Sequence, residues 1–109
     1  MQRMGMVIGI RPEFIEKYKA LHADVWPEIL QSLSECNVTN YSIFLREPEN
    51  LLFGYWEYVG DDFAADMKYM ADMPITQEWW DVCIPCQKAL ETRAEGEWWA
   101  MMEEVFYHG

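Results

Sequence analysis

Two strand-like runs separated by four turn residues constrain this chain more than any other feature. "VTNYSIFLR" (38–46) and "LLFGYWEYV" (51–59) are rich in β-branched and aromatic residues, and "EPEN" between them carries turn chemistry. The pair predicts an antiparallel hairpin. A lone hairpin is marginal in water, so other elements must cover it. The flanking sequence supplies them. Apolar Met4 to Ile10 stops at Arg11-Pro12 and predicts a first strand. Pro12 then opens a helical pattern that runs from Glu13 to about Glu35, at a position where its missing N–H costs little. At about 100° per residue, Phe14, Tyr18, Leu21, His22, Val25 and Ile29 share one face. Glu13, Glu16, Ala20, Ala23 and Gln31 share the other. Pro27 should kink or divide this helix, because it removes a hydrogen bond and crowds the preceding turn.

Beyond the hairpin, Gly60-Asp61-Asp62 starts a second helical region with Phe63, Met67 and Met70 on one stripe, and Pro74 breaks it. "TQEWWDVCIPCQKALETR" reads as a further helix to about Arg93, "AEGE" as a turn and "WWAMMEEVFYHG" as a closing strand. The order is β-α-β-β-α-β. It predicts an α+β, ferredoxin-like chain: a four-stranded antiparallel sheet with helices on one face, in one domain spanning 1–109. The other sheet face is left for a second copy, which would make a homodimer, a dimeric α+β barrel.

Charge and composition narrow the function. The net charge of −11 leaves no basic footprint for a phosphate backbone, so nucleic acid is excluded as a partner. An anionic substrate meets an unfavourable field, whereas a neutral one does not. No run approaches the ~20 apolar residues of a membrane span. The N-terminal apolar run leads into Arg11-Pro12 and reads as a strand, not a signal peptide. Three cysteines are an odd number, too few for a disulfide framework, and point to a reducing, cytoplasmic setting.

A few side chains stand out against this pattern. Tyr18 and His22 are i and i+4 within the apolar stripe. A buried polar group without a partner costs roughly 1–3 kcal/mol, so these two either bond inside the core or face a cavity. The plain reading is a satisfied core histidine, and the functional one a general acid or base. Tyr41 shares a strand face with Ile43 and Leu45 and needs an inward partner or a cavity. In Trp79-Trp80, helical neighbours point about 100° apart, so one reaches a rim or pocket while the other packs. Cys83-Ile84-Pro85-Cys86 lacks the second ligand pair that zinc needs and the preceding strand of a redox motif. His22 with Asp24 or Glu28 supplies only two ligands. No metal or cofactor is expected.

Taken together, "YKALHADVWPEI", "NYSIFL", "LLFGYWEY", "WW" and "EEVFYHG", in that order, closely resemble the L-rhamnose mutarotase family from Arg3 to Tyr107. The resemblance implies a ferredoxin-like dimer joined through its sheets, with a sugar site between sheet and helices. It implies a cofactor-free isomerase that interconverts the α and β anomers of L-rhamnose or a similar 6-deoxyhexose. His22 falls on the family's proton donor, and Tyr18, Tyr41, Trp79 and Trp80 fall on its sugar contacts. The partner base is unassigned; Glu57 and Glu104 qualify only if their strands turn them inward. Between Asp81 and Met102 little of the family pattern is present, which leaves open whether that segment lines the pocket. Two other classes share such a fold: a dimeric ferredoxin-like monooxygenase and a non-catalytic sugar-binding dimer.

Overall fold

A computed structural model describes residues 1–109. The hairpin forms where its sequence places it. β2 (Val38–Arg46) and β3 (Leu51–Tyr58) pair antiparallel across residues 47–50. β3 also pairs antiparallel with β1 (Gln2–Ile10), from Gln2 opposite Tyr58 to Gly9 opposite Leu51. The far edge of β1 carries two short antiparallel strands. β4 (Gln87–Lys88) lies against Gly9 and Ile10, and β5 (Ala100–Met102) against Gly5 to Val7. The sheet thus has five strands where four were expected, β4 falling in a segment expected to be helical, and residues 89–99 leave the sheet between β4 and β5.

The long helical pattern is divided at the proline. A 3-10 turn (Pro12–Phe14) leads into α1 (Ile15–Ala23), and α2 (Pro27–Glu35) begins on Pro27 itself. Trp26 takes the extended ψ of 131° that a residue before proline prefers. α3 (Phe63–Asp72) is capped by the Asp62 side chain, which accepts from the Ala65 N–H at 3.2 Å. α4 (Pro74–Cys83) again opens on its proline.

All four helices lie on one side. Ile8 and Ile10 of β1 and Leu52 of β3 meet Ile15 and Tyr18 of α1, Ile29 of α2, and Trp79 and Cys83 of α4. Each fully buried aliphatic side chain contributes about 1.5–3 kcal/mol, so this seam anchors α1 and α4 to the sheet.

Two expectations fail. Helix α4 stops at Cys83 rather than near Arg93. Pro85 lacks the N–H that would continue the ladder and crowds the turn before it, so the chain passes through a 3-10 turn (Ile84–Cys86) into β4. The closing strand shrinks to Ala100–Met102, and residues 103–109 have no regular structure and are exposed. Adjacent Val105 and Phe106, 87% and 80% exposed, have no period-two pattern and no layer of this chain to bury against. Side chains hold the tail instead. Arg3 Nε donates to Glu104 Oε1 at 3.0 Å, and the Arg3 guanidinium lies 3.4 Å from the centre of the Tyr107 ring.

Candidate active site

Helix α1 sets Tyr18 and His22 side by side, their rings stacked at 4.1 Å with an angle of 25°. His22 Nδ1 lies 2.9 Å from the Tyr18 carbonyl oxygen. A carbonyl only accepts, so Nδ1 carries the proton and Nε2 keeps its lone pair. Burial holds the His22 pKa below its ordinary value, against the opposing pull of that hydrogen bond. The result is a neutral imidazole with a defined tautomer. Trp79 meets it edge-on at 5.3 Å and is itself braced edge-on by Trp26 at 5.0 Å.

Tyr41 arrives from the sheet through a bulge. Thr39 pairs with Glu57 but Ser42 with Tyr55, so Asn40 and Tyr41 together oppose Trp56. Asn40 supplies the left-handed turn, with φ of +50°, and donates from Nδ2 to Glu57 Oε1 at 2.8 Å. The extra residue shifts the alternation, so Val38 and then Tyr41, Ile43 and Leu45 all look toward the helices. Tyr41 is 40% exposed, yet burial pushes its hydroxyl up to about 12. The flank of the ring is open to solvent while its polar end sits inside.

These elements enclose a cavity of about 260 Å³. Tyr18, His22, Tyr41, Trp79 and Trp80 all line it, joined by Ile43, Cys83, Ile84, Gln87, Trp98 and Trp99. All five side chains singled out in the sequence therefore converge. The tryptophan pair divides as its spacing requires: Trp79 is buried and Trp80 is 39% exposed at the rim. A second cavity of about 290 Å³ adjoins His22, Tyr41 and Trp79 from the α2 side. No carboxylate, lysine or arginine lines the first cavity, and its size is just below the ~300–1,000 Å³ common for ligand pockets. A small neutral molecule with one apolar face suits such walls.

Six lining residues lie outside the five expected from sequence, and Gln87, Trp98 and Trp99 are the three among them that carry an amide or aromatic ring group. Gln87 lay within what reads as a helix, and only the break at Pro85 turns it inward as part of β4. Trp98 and Trp99 return from the 89–99 excursion; a second Trp-Trp doublet was the available signal. The uncertain segment after Asp81 does line the cavity. Glu57 and Glu104, by contrast, lie on the other face of the sheet. Glu57 sits opposite Arg3 in the β1–β3 register, accepts from Asn40 and Tyr55, and is held below the usual carboxylate range by those bonds. Glu104 is paired with Arg3. Neither reaches the cavity.

Cys83 faces the cavity as a free thiol whose pKa burial pushes up to about 12, and Cys86 is free and fully buried. A thiol so far from its thiolate is a poor nucleophile. No group of three or more His, Cys, Asp or Glu is arranged to hold a metal ion. No helix is long and apolar enough to cross a membrane.

The family profile described as L-rhamnose mutarotase matches residues 3–108. Among curated proteins, the L-rhamnose mutarotase of Bacillus subtilis is 32% identical over 108 residues, covering 98% of both chains. That of Listeria monocytogenes is 34% identical over 107 residues, again covering 98% of both. The crystal structure of an L-rhamnose mutarotase from Formosa agariphila superposes with a TM-score of 0.79 at 27% identity over the full length of both chains. A type-II polyketide cyclase, tetracenomycin F2 cyclase from Streptomyces glaucescens, superposes at 0.70 with 20% identity, covering 100% of this chain and 97% of the other, and shares the fold alone.

Proposed function

The chain belongs to the L-rhamnose mutarotase family, and we propose that it interconverts the α and β anomers of L-rhamnose, or of a similar 6-deoxyhexose, in the cavity beside α1. The observation that carries the mechanism is the neutral His22 with Nδ1 bound to a carbonyl and Nε2 free. Nε2 takes the proton of the anomeric hydroxyl. The O1–H bond breaks, O1 forms a double bond to C1, and the C1–O5 bond breaks with its electron pair going to the ring oxygen. O1 and O5 are both attached to C1, so the imidazolium can return its proton to O5. Rotation about C1–C2 turns the other face of the aldehyde to O5, and the reverse steps close the ring.

No carboxylate is needed for this sequence of transfers. A positioned acid or base contributes roughly 10²–10⁴-fold, which is ample for a reaction that already proceeds in water. The Tyr18 hydroxyl, held protonated by burial, can donate to the oxygen that gains charge. Trp79 and Trp80 offer flat apolar surface to the methyl group and hydrophobic face of a deoxysugar. The charge of −11 is no obstacle to a neutral substrate.

Saturation-transfer NMR on L-rhamnose, with L-fucose for comparison, tests the reading. Accelerated exchange between anomer signals is expected, together with loss of at least ~10²-fold in a His22→Ala variant. No acceleration with any sugar refutes the enzyme, and a folded, fully active His22→Ala protein refutes the role given to that residue.

We also propose that the active form is a homodimer joined through the open sheet face. Phe44 there is 64% exposed, and the apolar tail residues Val105 and Phe106 are more exposed still. Three unpaired cysteines suit the reducing cytoplasm, and activity found only in an exported fraction would refute that placement.

A further inference from the structure

We infer that Gln87 and Trp98 are positioning residues that aim the Tyr18 hydroxyl proton into the cavity, an inference that rests on the mutarotase reading above. Gln87 is 5% exposed, and both ends of its amide are engaged. Its Oε1 accepts from Trp98 Nε1 at 2.7 Å, and its Nε2 donates to the Tyr18 oxygen at 3.2 Å.

The direction of this chain of bonds follows from the groups themselves. An indole N–H can only donate, so it requires the oxygen end of the amide. The amide must then turn its NH₂ toward Tyr18. An NH₂ group cannot accept, so the single hydroxyl proton of Tyr18 is turned away from Gln87. Tyr18 lines the cavity, and the cavity is where that proton can point. Without the indole, the amide is free to rotate and offer Oε1 to Tyr18, which would draw the hydroxyl proton back from the sugar.

Trp98 stands at the end of the 89–99 excursion, eleven residues beyond Gln87. The excursion therefore decides whether Tyr18 acts toward a ligand as a donor or an acceptor. This gives an irregular segment a defined part in substrate selection. A sugar is favoured when it presents an oxygen lone pair, or developing negative charge, to Tyr18.

The test is a Gln87→Glu variant assayed by anomer exchange against the unsubstituted protein over a range of pH. Tyr18 and His22 on α1, Tyr41 on β2 and Cys83 on α4 face the same cavity, and none is a carboxylate, so the introduced carboxyl adds a titration of its own. When ionised it accepts from both Trp98 and Tyr18 and turns the hydroxyl proton out of the cavity. When protonated it offers one C=O and one O–H, as the amide does. The expected ratio of variant to unsubstituted kcat is about one tenth or lower at high pH, a smaller loss than the ~10²–10⁴-fold of a primary acid or base, and it climbs as the pH falls. A ratio of one, or a reduced ratio that does not change with pH, overturns the inference.

A Trp98→Phe variant provides a second arm, because Trp98 is 39% exposed and its ring is largely preserved. It should lower kcat several-fold by itself and cost nothing further when combined with Gln87→Leu. Simple additivity of the two losses overturns the inference. Failure of the unsubstituted protein to exchange anomers overturns the function and this inference together, whereas normal exchange with a flat ratio overturns only the latter.

Discussion

Burial lowers the His22 pKa because the charged imidazolium loses more solvation than the neutral ring does. The unfolded chain then binds a proton at a pH where the folded chain does not. The stability contributed by neutral His22 is fully present above the ordinary value of about 6.5 and is lost as pH falls through the lowered folded value. In the proposed mechanism, catalysis by Nε2 depends on the same titration. The kcat/KM profile for anomer exchange should stay flat through neutrality, with the midpoint of its acid limb below about 6.5. A midpoint at or above that value would contradict a base kept neutral by burial. His22 and Tyr41 could be read from the sequence because periods of 3.6 and two say which way a side chain points. Gln87 could not, since the break at Pro85 turns it inward and its partner Trp98 stands eleven positions further along, and neither period reports on either.

At the scale of elements, the β2 bulge is what delivers Tyr41 to the cavity, and it depends on Asn40 at φ +50°. Most L-residues pay about 1–2 kcal/mol in that conformation, and glycine does not. Asn40→Ala should therefore be less stable than Asn40→Gly by about 1 kcal/mol in denaturant titrations, although both lose the bond to Glu57. The alanine variant should also show a higher KM, as the phase of the strand, and Tyr41 with it, is disturbed. Equal stability of the two would mean that the bulge is not held by this residue. The same local chemistry explains which elements the sequence revealed. The hairpin, the division at Pro27 and the start of α4 at Pro74 each carry a residue with only a few allowed backbone states. The end of α4 is hidden in the sequence because the helical pattern of apolar residues continues past Pro85, while the lost N–H acts at that one turn alone. The tail was misread because β-rich composition does not supply a partner strand, and β1 pairs with this segment only at Gly5 to Val7.

For the whole molecule, the arrangement of helices on one side leaves a sheet face with aromatic neighbours that its own chain covers only near Arg3, where Glu104 and Tyr107 of the tail lie. Phe44 stands opposite Phe53, and Phe53 opposite Val7, across three adjacent strands. The proposed dimer would bury this stripe, but it must bring together two chains of net charge −11 each. The two effects respond differently to salt. The hydrophobic gain is little affected, whereas the repulsion is screened over a Debye length that shrinks from about 10 Å at 0.1 M to about 3 Å at 1 M. Association should therefore tighten as salt rises, the reverse of an interface held by opposite charges. Sedimentation equilibrium should give twice the 13.0 kDa mass of one chain at micromolar concentration, with a dissociation constant that falls on adding sodium chloride. Phe44→Lys, which places a desolvated charge at the β2 end of the stripe, should shift the protein to monomer. A monomeric unsubstituted protein at high salt, or a dimer indifferent to Phe44→Lys, would show that this face is not the one that pairs.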